Sequence, residues 1–145
     1  MNDLFYTDEC WESLDGYSGY YVSNYGRVYR DAYTVEFYSE SWGRHVTKQY
    51  DAGLCSLNEN GKGYYQVGLR NPDTGDQDRL LVHRLVMEYF GGEPPSGRHT
   101  DVNHIDGDRT NNHISNLQWV TPAENKLHAF ATKVAEKQSP ERVIE

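Results

Sequence analysis

Cysteine is scarce in this chain, and the two residues present, Cys10 and Cys55, stand far apart with no Cys-x-x-Cys spacing. That excludes a four-cysteine zinc knuckle and argues against a disulfide framework, leaving two reduced, partly buried thiols as the expectation. Long apolar runs are missing as well. Nothing approaches the ~18 residues that a membrane span needs, and no basic leader precedes an apolar stretch. The expectation is an intracellular, soluble protein without membrane partners. Positive charge is also short: 14 Lys and Arg against 22 Asp and Glu leave a net charge of −8. Such a balance speaks against tight non-specific binding to nucleic acid, although a basic face can exist on an acidic chain. Internal repeats and low-complexity segments are absent.

What the chain does have is tyrosine, 12 residues of its 145. A tyrosine-rich, glycine-punctuated sequence favours half-buried strands and turns over long helices. The length suits one compact domain or two small, closely joined modules. Tyr20 and Val22 alternate with polar neighbours, Ser23-Asn24-Tyr25-Gly26 has turn chemistry, and Arg27-Val28-Tyr29-Arg30 alternates again, predicting a hairpin. Residues 31–60 give no clear pattern and read as a loop or insertion with some strand. Tyr64 to Arg70 reads as a strand, Asn71 to Asp76 as a turn, and Arg79 to Val82 as the returning strand.

The period then changes. Val82, Leu85, Val86 and Tyr89 recur at helical spacing and Gly91-Gly92 ends the run, predicting a short helix over about 83–90. Residues 101–105 and 117–120 read as extended, with an Asp-, Asn- and Gly-rich loop between them. A second helix starts at Thr121-Pro122-Ala123-Glu124, a capping box with proline at the first helical position. Leu127, Phe130, Ala131 and Val134 give it an apolar stripe, with Asn125 and His128 to one side. The tail from about 138 reads as frayed.

Strand, polar loop, strand and capped helix bring together Asn103-His104, Asn116 and Asn125-x-x-His128. In these residues the chain resembles phage-type HNH homing endonucleases. The likeness extends to a nuclease-associated modular segment, in the Trp11…Gly16-Tyr17…Tyr20-x-Val22-Ser23-Asn24-x-Gly26-Arg27-Val28 pattern and again at 63–69. The resemblance implies an α+β protein. An antiparallel N-terminal β module (1–70, core 11–30 and 63–70), implied to bind DNA, leads into a ββα-metal nuclease module (71–137) and a tail (138–145).

It further implies phosphodiester hydrolysis giving 5′-phosphate and 3′-hydroxyl ends, with double-stranded DNA as partner and a phage or prophage origin. His104 is implied as general base and Asn116 as the residue that bridges the loop and orients it. Asn103 and Asn125 are implied as ligands of Mg²⁺ or Mn²⁺, with His128 a further candidate; no structural zinc is expected. One site per chain predicts nicking by a monomer, and a double-strand cut only through a weak dimer or two successive nicks. Relatives often carry Asp where this chain has Asn103, which weakens a hard-cation site. The alternative is therefore a non-catalytic DNA-binding or regulatory module that retains the fold.

For DNA contact the candidates are Arg27, Arg30, Lys62, Arg70 and Arg84. His83 reads as a packing residue, His99 and His113 as solvated loop residues, and Trp11 and Trp119 as core anchors. Asp106-Gly107-Asp108, Asn111 and Asn112 read as turn formers.

Overall fold

The computed structural model describes residues 5–137, so the expected tail at 138–145 lies outside the described residues. The chain order is β1 (Trp11–Ser13), β2 (Tyr20–Ser23), β3 (Val28–Arg30), β4 (Tyr33–Ser39), β5 (Arg44–Tyr50), β6 (Gly53–Leu54), β7 (Asn58–Glu59), β8 (Tyr65–Arg70) and β9 (Gln77–Leu81). Then come α1 (Val82–Phe90), β10 (Asp101–His104), β11 (Leu117–Val120) and α2 (Pro122–Lys137). Every strand pairing is antiparallel, in sheets ordered β1-β2-β3-β6, β7-β8-β9, β4-β5 and β10-β11.

The alternation read at Tyr20–Val22 and Tyr65–Leu69 turns Tyr20, Val22, Val67 and Leu69 into the interior, as the two-residue strand period requires. Helix α1 lays Val82, Leu85, Val86 and Met87 across both sheets. Val102 and Leu117 complete the same cluster. The boundary drawn near residue 70 thus runs through a single shared core. Trp119 packs against that core and donates its indole N–H to the Gly92 carbonyl, 3.2 Å away.

Residues 31–60 hold more strand than expected. Most of the segment is the hairpin β4-β5, seven residues a side, with Tyr33 and Tyr50 stacked at its base. Its side chains are largely exposed on both faces, so no alternation was available to read. Cys10 is exposed and only Cys55 is partly buried.

Helix α2 starts as the capping box requires. Thr121 N–H donates to Glu124 (2.9 Å), and Glu124 N–H donates to the Thr121 hydroxyl (3.1 Å). Its packing face reverses the expectation, however. Leu127 and Phe130 are 69% and 67% exposed, while Asn125, His128 and Thr132 face β10-β11 and the intervening loop. The loop meets α2 where Gly107 comes up against Thr132, so polar groups occupy the inner face and the apolar stripe is left outside. Among the described residues no helix is long and apolar enough to cross a membrane.

Candidate active site

Strand β10 pairs with β11 from Asp101↔Val120 to His104↔Leu117, and α2 packs on both. The connecting loop is held by side chains folding back on the backbone. Asp106 accepts from the Asp108 amide (2.8 Å), Asp108 from the Thr110 amide (3.0 Å), and Asn111 donates to Asp106 (2.8 Å). These are the Asx turns expected of Asp106-Gly107-Asp108. Asn116 closes the loop from the other end. Its amide oxygen accepts from Asp106 N–H (3.0 Å), and its amide nitrogen donates to Asp106 Oδ1 and the Asn111 carbonyl (both 2.9 Å).

Asn116 therefore bridges the loop as expected, but the side-chain hydrogen bond on His104 comes from another residue. His104 Nε2 lies 2.7 Å from Asn112 Oδ1, both residues being buried. An amide oxygen only accepts, so Nε2 carries the ring proton and Nδ1 keeps its lone pair. Asn112, read from sequence as a turn former, is thus the group that fixes the His104 tautomer. Its own amide nitrogen is buried without a hydrogen-bond partner among the described residues. Such an orphan costs roughly 1–3 kcal/mol, which argues against a purely stabilising role.

Burial pushes the His104 imidazole below its ordinary value, against the opposing pull of Asn112, Asp106 and Asp108. It is neutral at pH 7. His83 packs edge-on against His104 with ring centroids 5.2 Å apart, and Tyr64 tilts against both rings. Burial, followed by the proximity of His104 and Arg84, lowers His83 to about 4.

The folded-state value of His83 lies below that of the unfolded chain, so the unfolded chain binds more protons between pH 4 and 6.5. Stability from keeping His83 neutral is present above pH 6.5 and is lost as pH falls towards 4, on the order of 3 kcal/mol. Urea titrations at pH 7 and pH 4.5 should show wild type losing more stability on acidification than His83→Phe. Equal losses would remove His83 as the cause.

A cleft of about 530 Å³ opens over the strand–strand–helix unit, lined by Asn103, His104, Asn125 and His128 among others. Asn103 is buried and its amide makes no hydrogen bond to any described residue, leaving it available to a ligand. Asn125 donates its amide nitrogen to Asp101 (3.2 Å), which frees its oxygen. His128 donates from Nε2 to the Ile105 carbonyl (3.1 Å), which leaves Nδ1 as its only donor atom for a metal. Among the described residues no group of three or more His, Cys, Asp or Glu is placed to hold a metal. The donor set is amide oxygen with the Asp101 carboxylate alongside, chemistry that suits a hard divalent cation.

Residues 80–127 match the family model described as HNH endonuclease, which spans α1, both strands and the first turn of α2. This segment is therefore similar to HNH endonucleases. Over 132 residues the chain is 31% identical to the DNA endonuclease I-HmuI of Bacillus phage SP01, covering 88% of this chain and 63% of that one. It is 52% identical over 68 residues to YosQ, an SPbeta prophage-derived protein of Bacillus subtilis (strain 168) named as an HNH homing endonuclease. That match covers 47% of this chain and 38% of YosQ. The solved structure of I-HmuI, described as showing DNA binding and cleavage, superposes with a TM-score of 0.54 at 28% identity, over 88% of this chain and 66% of that one. The chain spans less than two thirds of the length of each of these curated relatives. The family match does not extend to the N-terminal modular pattern at 11–30.

The fold gathers His104, Asn103, Asn125 and His128 on one cleft, and it places the basic candidates unevenly. Lys62 and Arg84 line an adjoining cleft of about 570 Å³ that shares Tyr64, Asp101 and Asn125 with the first. Arg30 and Arg70 line a different cavity, with the Arg30 guanidinium 3.3 Å from the centre of the Tyr33 ring. Arg27 is paired with Glu9 and lies over Tyr6, so its charge is already neutralised within the chain. His113 is not simply solvated. Its Nδ1 accepts from Ser115 N–H (3.1 Å), and its ring meets Tyr25 edge-on at 4.4 Å.

Sequence reading missed Arg109, Lys126 and Lys133, which line the same cleft as His104. Arg109 is anchored by donating to the Lys62 carbonyl (2.6 Å) while lying over the Tyr64 ring. Their signal was available for Lys126, which sits between the two proposed ligand positions on the helix. For Arg109 it was hidden in a loop whose fold depends on Lys62, far away in sequence.

Proposed function

We propose that this chain is a metal-dependent DNA endonuclease that nicks double-stranded DNA from the cleft over β10, β11 and α2, in a phage or prophage setting inside the host cell. The observation that carries this reading is the pairing of a buried, neutral His104, its proton held on Nε2 by Asn112, with an amide-lined cleft beside it. His104 Nδ1 accepts the proton of an attacking water, the phosphorus takes the new P–O bond as its bond to the 3′ oxygen breaks, and that oxygen takes a proton from solvent water. The ends formed are 5′-phosphate and 3′-hydroxyl. Asn103 and Asn125, with Asp101 and His128 alongside, are the residues that would hold Mg²⁺ or Mn²⁺. Bound there, such a cation supplies charge neutralisation at the phosphate and the leaving oxygen.

The formal charge of −8 does not oppose this reading, because the charge that matters is local. Arg109, Lys126 and Lys133 in one cleft, and Lys62 and Arg84 in the next, face a single carboxylate, Asp101. These cations position the duplex backbone without reading its sequence. The resemblance of residues 11–30 to a nuclease-associated segment supports a further DNA contact through Arg30, with Arg70 lining the same cavity; Arg27, held by Glu9, is left out of it.

Supercoiled plasmid incubated with the protein and Mg²⁺ or Mn²⁺ should convert to open circles, and should stay supercoiled without metal. A retained gel shift with no cleavage under either metal would instead support a DNA-binding module that keeps the HNH fold.

A further inference from the structure

We propose that the turn joining β2 to β3 is a positioning element of the active site, in which Gly26 seats Asn112 so that Asn112 fixes the His104 imidazole. This rests on reading His104 as the general base.

The contact is backbone-tight. A Cβ built on Gly26 would lie 2.7 Å from Asn112 Cβ, 3.0 Å from its carbonyl oxygen and 3.2 Å from its carbonyl carbon. Two of those three atoms are main chain, so a side chain at position 26 cannot be absorbed by a rotamer change. Gly26 also has φ +84°, a region that L side chains rarely adopt. The turn itself is stiff. Ser23, fully buried, accepts from Tyr25 N–H (3.1 Å) and Arg27 N–H (3.3 Å) through its hydroxyl, and exchanges backbone bonds with Arg27 and Gly26. Two more contacts tie it to the same stretch: Ile114 N–H donates to the Asn24 carbonyl (2.8 Å), and Tyr25 meets His113.

On the far side of that contact, the Asn112 amide oxygen accepts from His104 while its nitrogen has no partner among the described residues. A residue placed only for packing would not strand a buried donor. The N-terminal hairpin, which sequence resemblance assigned to DNA binding alone, is therefore built into the support of the base.

The test uses the full chain labelled with ¹⁵N-histidine. In wild type, His104 is expected as the Nε2-protonated tautomer. Gly26→Ala should shift it towards a mixture, and should lower single-turnover nicking by about 10²-fold with DNA affinity unchanged. Gly43→Ala, in the turn between β4 and β5, is the control: φ is +64° there, with nothing within 4 Å of the added Cβ. It should leave both the His104 signal and the rate at wild-type values. Asn112→Ala should reproduce the loss, and the double variant should be no worse than Asn112→Ala alone.

A Gly26→Ala protein that keeps the wild-type tautomer and rate, or losses that simply add in the double variant, would overturn the proposal. Should Gly26→Ala fail to fold, Tyr25→Leu loosens the same turn without adding a Cβ at 26. A partial tautomer shift in that variant is then expected, and an unchanged signal overturns it. The spectrum needs no cleavage. If wild type leaves DNA intact while Gly26→Ala still moves the His104 signal, the nuclease reading falls and the positioning contact stands.

Discussion

Replacing His104 with alanine is expected to lower plasmid nicking by about 10²–10⁴-fold, the usual worth of a positioned general base. The size follows from what the side chain provides. The ring is buried, its Nε2 proton is committed to Asn112, and burial keeps it neutral at neutral pH, so Nδ1 is ready to take a proton. Alanine removes the acceptor and leaves Asn112 with both amide atoms unpartnered, so the comparison should be made on protein whose circular dichroism matches wild type. The pH profile adds a second check. Because burial lowers the imidazole below its ordinary ~6.5, activity should hold down to pH 6.5 and fall only as pH drops further, when the base protonates. An acid limb centred above pH 6.5 would mean that another group takes the proton.

The second large effect concerns the metal. EDTA is expected to abolish nicking, and the donor set predicts how substitutions change affinity as well as activity. Asn103 and Asn125 offer neutral oxygens, while Asp101 sits against Asn125 with the carboxylate that the amide pair lacks. Asn103→Asp adds a charged ligand and should tighten Mn²⁺ binding by calorimetry. Asp101→Asn should weaken it about 10–100-fold, the range seen when a ligand loses its orienting partner. Weaker binding in Asn103→Asp would remove Asn103 from the ligand set, whatever happens to cleavage.

The parts of this molecule that were readable in sequence are those whose reasons are local. The capping box at Thr121 and Glu124, the helical period of Val82, Leu85 and Val86, and the strand alternation around Val22 and Val67 each announce an element within a few residues. The candidate site could be proposed from sequence for the same reason, since Asn103-His104, Asn116 and Asn125 all lie on one strand–loop–strand–helix unit. The hairpin at 33–50 was hidden because it buries neither face. The orientation of α2 was hidden because its inner face is polar: Leu127 and Phe130 suggested a packing stripe, yet Asn125 and His128 are the side chains turned inward. The partner of His104 could not be read because the motif points to Asn116, while Asn112 reaches the ring only after the loop is folded against Gly26. The anchoring of Arg109 by Lys62 likewise depends on tertiary contact.

One measurement tests the central claim most directly: treatment of supercoiled plasmid with wild-type protein and Mg²⁺, followed by DNA ligase. Hydrolysis with His104 as base and departure of the 3′ oxygen predicts open circles that ligase reseals, since 5′-phosphate and 3′-hydroxyl ends are its substrates. Plasmid that is never nicked, or nicks that ligase cannot close, would contradict it.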